Sequence, residues 1–319
     1  MESIQKQIVI VGAGPAGVGA ALRLKQAGFK DILLLDRFEQ VGGIPGKYQH
    51  HGKPTFVRWS KGQIHHGLDY ADLLAKKLVT AGIETRLETT VLHFSPEDKE
   101  LQMVSVQNGS YKIKAEVILF ACGARERTSV ERGILTGHRP ARVYHTLHLL
   151  ELLKLSPNMP PADYIMLGSE VITYSLAEKL THTGGIPLII DHEKSAACSF
   201  AGRFYFFRKH RPRRIPSVRK IKIQGQQGLE KVHLEKKQSQ SVPADYLVLA
   251  GNLIPNTELL ATAGIPFRAD SRQILPEALK AQQNRGIFIA GNMKGTAFGG
   301  ERAYFNGYLT AGKIVNYLK

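Results

Sequence analysis

Three glycines and an acid near the amino end define the first chemistry in this sequence. Ile8-Val9-Ile10-Val11 runs into Gly12-Ala13-Gly14-Pro15-Ala16-Gly17, and Asp36 closes the next apolar run, Ile32 to Leu35. In this spacing Gly12 permits a tight turn after a strand, Gly14 lets the backbone approach a diphosphate, and Gly17 lets a helix pack closely on the strand. The first turn of such a helix offers unpaired N–H groups and the positive end of its dipole to an anion. A carboxylate at the end of the second strand accepts hydrogen bonds from ribose hydroxyls. These residue types read as a dinucleotide site, the alternative being a glycine-rich turn that only packs.

Such residues need a parallel sheet to hold them. Ile8 to Val11, a helix over Ala16 to Gln26, and Ile32 to Leu35 form one strand-helix-strand unit, which implies a right-handed crossover between parallel strands. A second unit of the same layout runs through Tyr164 to Leu167, Val171 to Thr183 and Pro187 to Ile190. Between them the pattern predicts an antiparallel element over Thr85 to Lys114, a strand Glu116 to Ala121, and a connector Pro140 to Pro161 with a short helix His145 to Lys154. A strand Asp245 to Ala250 follows, and the chain closes with a strand Gly286 to Ala290 and a helix Glu301 to Tyr317. The expected class is α/β, with two Rossmann-like dinucleotide-binding domains, the second inserted into the first: 1–125 with 246–319, and 126–245.

Further runs extend the pattern. After Asp36 comes Arg37-Phe38-Glu39-Gln40-Val41-Gly42-Gly43-Ile44-Pro45, whose glycine doublet is similar to the one flavoproteins place along the diphosphate of FAD. Ile287-Phe288-Ile289-Ala290-Gly291-Asn292 resembles a strand-plus-Gly-Asp signature whose acid binds the ribityl chain, here with an amide that both donates and accepts. Ile118 to Arg125, and Leu247 to Gly251 with Ile254-Pro255-Asn256-Thr257, resemble segments where the chain crosses between domains. On these motifs the chain, from Ile8 to Lys319, resembles the FAD-dependent pyridine nucleotide-disulfide oxidoreductase superfamily in its short, thioredoxin-reductase-like form.

The resemblance implies FAD contacts from Gly12, Gly14, Pro15, Ala16, Gly17, Asp36, Arg37, Gly42, Gly43, Ile44, Pro45, Ala121, Cys122, Gly123, Gly291 and Asn292, with the adenine held on backbone atoms at Val91. It also implies that Arg302 and Ala303 begin a helix whose first amides face the flavin pyrimidine. Those amides would stabilise negative charge on reduction.

The sequence also departs from this pattern. Its two cysteines, Cys122 and Cys198, form neither C-x-x-C nor C-x4-C, so no thiol pair relays electrons from flavin to a disulfide. The second glycine loop reads Gly168-Ser169-Glu170-Val171-Ile172-Thr173, with Glu170 in the close-approach position and Thr173 in the packing position. Added bulk and negative charge oppose a diphosphate, so nicotinamide binding is expected to be impaired or absent. If a nicotinamide does bind, Asp191 at the end of the next strand favours NADH, because a carboxylate repels a 2′-phosphate.

Lys47, His50, His51 and Arg58 follow the glycine doublet and are the candidate catalytic residues, meeting an anionic substrate or stabilising reduced flavin. The pairs His50-His51 and His65-His66 lack the spacing of a ligand set, so no metal is expected.

Formal net charge is +16, which raises the odds of an anionic partner without choosing among nucleic acid, membrane surface and acidic protein. Nine Lys or Arg residues lie between Arg203 and Lys222, interleaved with Phe204, Tyr205, Phe206 and Phe207. Pro212 and Pro216 break any continuous amphipathic helix there, so a membrane contact would be peripheral at most. No zinc-finger, basic-zipper or RNA-recognition signature is present, which makes nucleic acid an improbable main partner. Met1 to Lys6 leaves no room for a secretory n-region and h-region, so a cytoplasmic location is expected.

The leading functional expectation is an FAD-dependent oxidoreductase, or the flavin subunit of a dehydrogenase complex, working on a small molecule or taking electrons from an amine, amino-acid or glycerol-3-phosphate dehydrogenase subunit. An oligomer is compatible with this. The alternatives are an autonomous NADH-dependent flavin reductase and a non-catalytic FAD-binding protein whose basic run binds nucleic acid or another partner.

Overall fold

The computed structural model describes residues 3–47, 58–60, 63–65, 67–134, 140–156, 161–196, 213–295 and 299–319. The first stretch contains β1 (Ser3–Val11), α1 (Pro15–Gln26), β2 (Ile32–Leu35), α2 (Ile44–Lys47), β3 (Arg58–Ser60), β4 (Gln63–His65), α3 (Gly67–Thr80), β5 (Glu84–Arg86), β6 (Thr89–Ser95), β7 (Glu100–Ser105), β8 (Gly109–Phe120) and β9 (Ala124–Glu126). The middle contains β10 (Val143–His145), α4 (Thr146–Leu155), β11 (Asp163–Leu167), α5 (Val171–His182), β12 (Ile186–Ile190), β13 (Arg213–Ile215), β14 (Lys220–Gln224), β15 (Lys231–Glu235), β16 (Gln240–Pro243) and β17 (Tyr246–Leu249). The last stretch contains β18 (Leu253–Pro255), α6 (Glu258–Thr262), α7 (Pro276–Gln283), β19 (Ile287–Ile289), a 3-10 turn Gly291–Lys294, and α8 (Gly300–Leu318).

The chain divides into two compact units: residues 1–46, 57–125 and 254–319 form the first, and 47–56 with 126–253 the second. In the first, β5, β2, β1 and β8 lie side by side in parallel, and β19 pairs with the end of β8. The expected antiparallel element is the meander β6-β7-β8, its start at Thr85 falling instead in parallel β5, and its last strand and the strand expected after it are one continuous strand, β8. β8 gives its first half to antiparallel β7 and its end to β19, with β1 alongside from Lys112 to Phe120. Val9, Val11, Leu33, Leu35, Ile118 and Phe120 from these parallel strands enter one apolar core, as expected of strands covered on both faces.

Helices α1 and α8 pack at backbone distance. A Cβ on Gly19 would meet the Tyr304 carbonyl oxygen at 2.4 Å, and one on Gly307 would meet that of Ala16 at 1.8 Å. Two absent side chains therefore fix how closely α8 lies against α1, and with it where α1 begins.

The second unit has a parallel sheet ordered β10-β17-β11-β12-β13 and a small antiparallel sheet β14-β15-β16. Strand β17 pairs with β10 and β11, so the first unit resumes at Ile254 where 246 was expected. Fully apolar Leu247, Val248 and Leu249 fit either buried parallel sheet equally well, and only pairing distinguishes them. Among the described residues, no helix is long and apolar enough to cross a membrane.

Candidate functional site

In the first unit, β1 stops where Gly12 turns with φ of +113°, its N–H donating to the Leu35 carbonyl at 2.7 Å. A Cβ there would lie 2.4 Å from the Ala121 oxygen, and one on Gly17 would lie 1.8 Å from the Gly12 oxygen. Folding alone requires these two glycines. Gly14 differs: its φ of −72° suits any residue, and the nearest atom to an added Cβ is the Gly43 Cα at 3.9 Å. Packing leaves that space open, facing bare backbone at the start of α1, which is the shape a diphosphate requires.

The rest of the predicted set lines up around this gap. Gly42 donates to the Ala13 carbonyl at 2.9 Å with φ of +116°, and Gly43 with φ of +61° leads into Ile44 and Pro45 at the start of α2. Asp36 accepts from the N–H groups of Ala13 at 2.6 Å and Phe38 at 3.0 Å, which holds its carboxylate beside the loop; the Arg37 guanidinium lies over the Phe38 ring. The Ala121 N–H reaches the Val11 carbonyl at 2.8 Å, and Gly123 turns with φ of +72°. Val91 is half-buried in β6 beside a bulge.

Gly291 donates to Asn306 Oδ1 at 2.8 Å, and a Cβ on it would come within 2.7 Å of the Ala16 Cβ, so the turn carrying Asn292 sits against the start of α1. Ala303 is buried in the first turn of α8 and Arg302 is exposed there. An FAD diphosphate suits this cradle, with the amides of α1 and the Gly14–Gly43 gap as its seat.

Cys122 is half-buried, its N–H donating to Met293 Sδ at 3.1 Å and its thiol facing the Val11 carbonyl at 3.5 Å. Burial, with Asp36 nearby, pushes the thiol up to about 12. Such a thiol stays protonated and is a poor nucleophile. Of the candidate catalytic residues, Lys47 pairs with Glu151 at 3.0 Å, while His50, His51 and the side chain of Arg58 lie outside the described residues, as does Cys198. Among the described residues, no group of three His, Cys, Asp or Glu could hold a metal.

The second unit repeats the loop. Gly168 has φ of +119°, its N–H reaches the Ile190 carbonyl at 2.9 Å, and a Cβ on it would lie 2.3 Å from the Ala250 oxygen. At the next key position stands Glu170, whose carboxylate folds back over the loop. A Cβ on Gly251 would fall 1.7 Å from Glu170 Oε2, and Glu170 Oε1 accepts the Asn252 N–H at 2.5 Å.

Arg132 lies beside it. Its guanidinium donates to the carbonyls of Leu167 at 3.2 Å, Ala250 at 3.0 Å and Gly251 at 2.6 Å, across the carboxyl ends of β11 and β17. Glu126 is buried there too, accepting from Gly251 N–H at 3.1 Å and Thr146 N–H at 2.8 Å, and burial pushes it up to about 7. Asp191 is likewise committed, to the Ser169 hydroxyl, to Arg214 at 2.7 Å and to the Glu193 N–H at 3.0 Å. Sequence spacing singles out neither Glu126 nor Arg132, because each reaches the loop through the fold and neither belongs to a local pattern. Of the basic run, residues 203–212 lie outside the described residues, and the rest builds β13 and β14.

Residues 6–305 match the family model described as pyridine nucleotide-disulphide oxidoreductase. The chain belongs to this family. Members of this family use FAD together with NAD(P)H.

Among curated relatives, an opine oxidase subunit of Rhizobium meliloti is 25% identical over 336 residues, covering 95% of this chain and 61% of the relative. Its Agrobacterium tumefaciens counterpart is 24% identical and is covered over 64% of its length, so this chain spans less than two thirds of these opine oxidase subunits. A soluble pyridine nucleotide transhydrogenase of Pseudomonas putida is 26% identical over 345 residues, with 97% and 70% coverage.

Among solved structures, the thioredoxin reductase of T. acidophilum aligns with a TM-score of 0.71 at 17% identity, covering 98% of both chains. A bacillithiol disulfide reductase from Bacillus cereus aligns at 0.74 and 13%, covering 98% of this chain and 99% of its own. These likenesses establish the two-domain Rossmann-like fold.

Proposed function

We propose that this flavoprotein passes electrons through FAD without a disulfide relay, as the flavin subunit of a dehydrogenase that oxidises a small molecule such as an amine or amino-acid derivative. The observation that carries this reading is that the two cysteines form neither C-x-x-C nor C-x4-C, while the Cys122 thiol, packed beside Met293 and the Val11 carbonyl, is pushed up to about 12. With no thiolate to relay electrons, flavin chemistry has to be direct. The similarity to opine oxidase subunits supports the substrate class and the expectation of a partner subunit.

FAD, when bound, supplies the capacity to take up a hydride and release electrons. The chain's own part is to hold and polarise it. Loop amides from Gly12 to Gly17 and the start of α1 hold the diphosphate, Asp36 the adenosine ribose, and Asn292 the ribityl chain. The first amides of α8 stabilise negative charge at the pyrimidine end. In the second unit, the Glu170 carboxylate fills the loop where a nicotinamide dinucleotide would lay its diphosphate, so the donor is not expected to be NADH.

The test is anaerobic mixing of the yellow protein with NADH, followed by dithionite. The proposal expects no bleaching of the flavin absorbance by millimolar NADH and full bleaching by dithionite. Prompt bleaching by NADH would favour the autonomous reductase suggested by the transhydrogenase relatives and overturn the subunit reading.

A further inference from the structure

We propose that Glu170 and Arg132 form an internal substitute for a bound diphosphate and its counter-charge, and that Glu170 is the residue that bars nicotinamide dinucleotides from the second unit. The inference rests on the reading above, in which NADH is not the donor, and names the residue responsible.

The two glycine loops share one backbone, and that comparison isolates the determinant. Gly14 precedes α1 with φ of −72° and ψ of 178°, and Glu170 precedes α5 with −76° and 169°. Gly12 and Gly168 turn with φ of +113° and +119° against the carbonyls of Ala121 and Ala250. At these two positions the main chain of the second loop is as open to a dinucleotide as that of the first. Thr173 stands where Gly17 packs against the first loop, but at the diphosphate position itself what differs is the side chain that leaves the Glu170 Cα, which in the first unit is absent.

That side chain is placed as an anionic ligand would be. Its Oε1 takes the Asn252 N–H at 2.5 Å, and its Oε2, buried without a hydrogen-bond partner among the described residues, rests against Gly168 and Gly251. The Arg132 guanidinium bonds the carbonyls of Ala250 and Gly251, beside which the Glu170 carboxylate rests; burial lowers its basicity and the charges of Glu126 and then Glu170 act against that. Three carbonyl bonds lock the guanidinium across the ends of β11 and β17, the crevice where ligands of open parallel sheets bind. The ribose-binding acid is closed in the same manner, since Asp191 is buried and shared among Ser169, Arg214 and Glu193. Removing the Glu170 side chain would leave Arg132 facing a vacated loop, a cation in position for a diphosphate.

The experiment measures NADH binding to FAD-loaded wild type, Glu170→Gly, Glu170→Gln and the double variant Glu170→Gly/Arg132→Ala by nucleotide fluorescence anisotropy, with FAD content as the check on folding. Wild type is expected to give no saturable binding up to millimolar NADH, and Glu170→Gly to gain at least tenfold in affinity. Glu170→Gln should stay closed because its amide fills the same volume. The double variant should lose the gain made by Glu170→Gly. If wild type stays silent and Glu170→Gly, with FAD retained, binds no better, this inference is overturned while the proposed function stands. Saturable NADH binding by wild type, with bleaching, overturns both.

Discussion

Glu170 occupies in the second unit the backbone position that Gly14 occupies in the first, with φ and ψ matching within about 10°. Duplicated loops of equal geometry thus present opposite surfaces, one bare and one carrying its own carboxylate. The relation predicts what happens when the side chain is moved.

Gly14→Glu should convert the open loop into a closed one. Backbone conformation would not resist, because φ of −72° accommodates glutamate. A carboxylate about 4 Å from a diphosphate charge costs on the order of 4 kcal/mol at an effective dielectric near 20, or about a thousandfold in affinity. The variant is expected to purify colourless yet retain the circular dichroism of the folded chain. Stoichiometric FAD in purified Gly14→Glu would refute the placement of the diphosphate.

Gly307 and Gly312 lie on the same helix and should respond to alanine with opposite signs. A Cβ on Gly307 would sit 1.8 Å from the Ala16 oxygen, while one on Gly312 meets nothing within 4 Å. Overpacking of this kind costs about 1–3 kcal/mol, a fall in Tm of roughly 2–12 °C for a unit of this size. It should also weaken FAD, since α8 sets where α1 begins. Gly312→Ala should gain about 0.5–1 kcal/mol from helix propensity. Thermal melts that move both variants in one direction would contradict the close helix contact.

These residues also mark what the sequence could reveal. The turn at Gly12, the close packing at Gly17 and the position of Asp36 beside the loop were legible because they depend on local spacing, and the fold places them as that spacing implies. The whole length of β8 was hidden, since the strand passes from an exposed hairpin into a buried sheet with no turn residue to mark the change. So was the return to the first unit at Ile254, because β17 is apolar in a way that suits either sheet. Arg132 and Glu126 act across the fold on Leu167, Thr146, Ala250 and Gly251. No local periodicity encodes a contact of that kind.

Cys122 should be chemically silent in the native protein. Its thiol, packed against the Val11 carbonyl and pushed up to about 12, presents almost no thiolate at neutral pH. In a Cys198→Ala background, a disulfide reagent is expected to modify Cys122 at least about a hundredfold more slowly in the folded protein than in denaturant. Cys122→Ala that retains its FAD should still take up and release electrons at the flavin, since no electron passes through sulfur. Rapid native labelling, or loss of turnover with FAD still bound, would restore a thiol to the mechanism and undo the proposed direct route.

Glu126 gives the pH dependence its sign. Burial outweighs its bonds to Thr146 and Gly251 and the pull of Arg132, so the carboxyl rises from 4.5 to about 7 in the folded chain. A carboxyl with a raised folded value binds more protons folded than unfolded between those two points. Stability is therefore greatest below about 4.5, falls as pH rises, and levels off above about 7, the loss being on the order of 3 kcal/mol. Glu126→Gln keeps an oxygen for one of the two N–H donors and removes the titration. Melting temperatures of variant and wild type, compared at each pH to cancel the other groups, should diverge in favour of glutamine by several degrees between pH 4.5 and 8. A constant difference across that range would mean that Glu126 keeps its ordinary acidity and that its pocket is wetter than the packing around Thr146 implies.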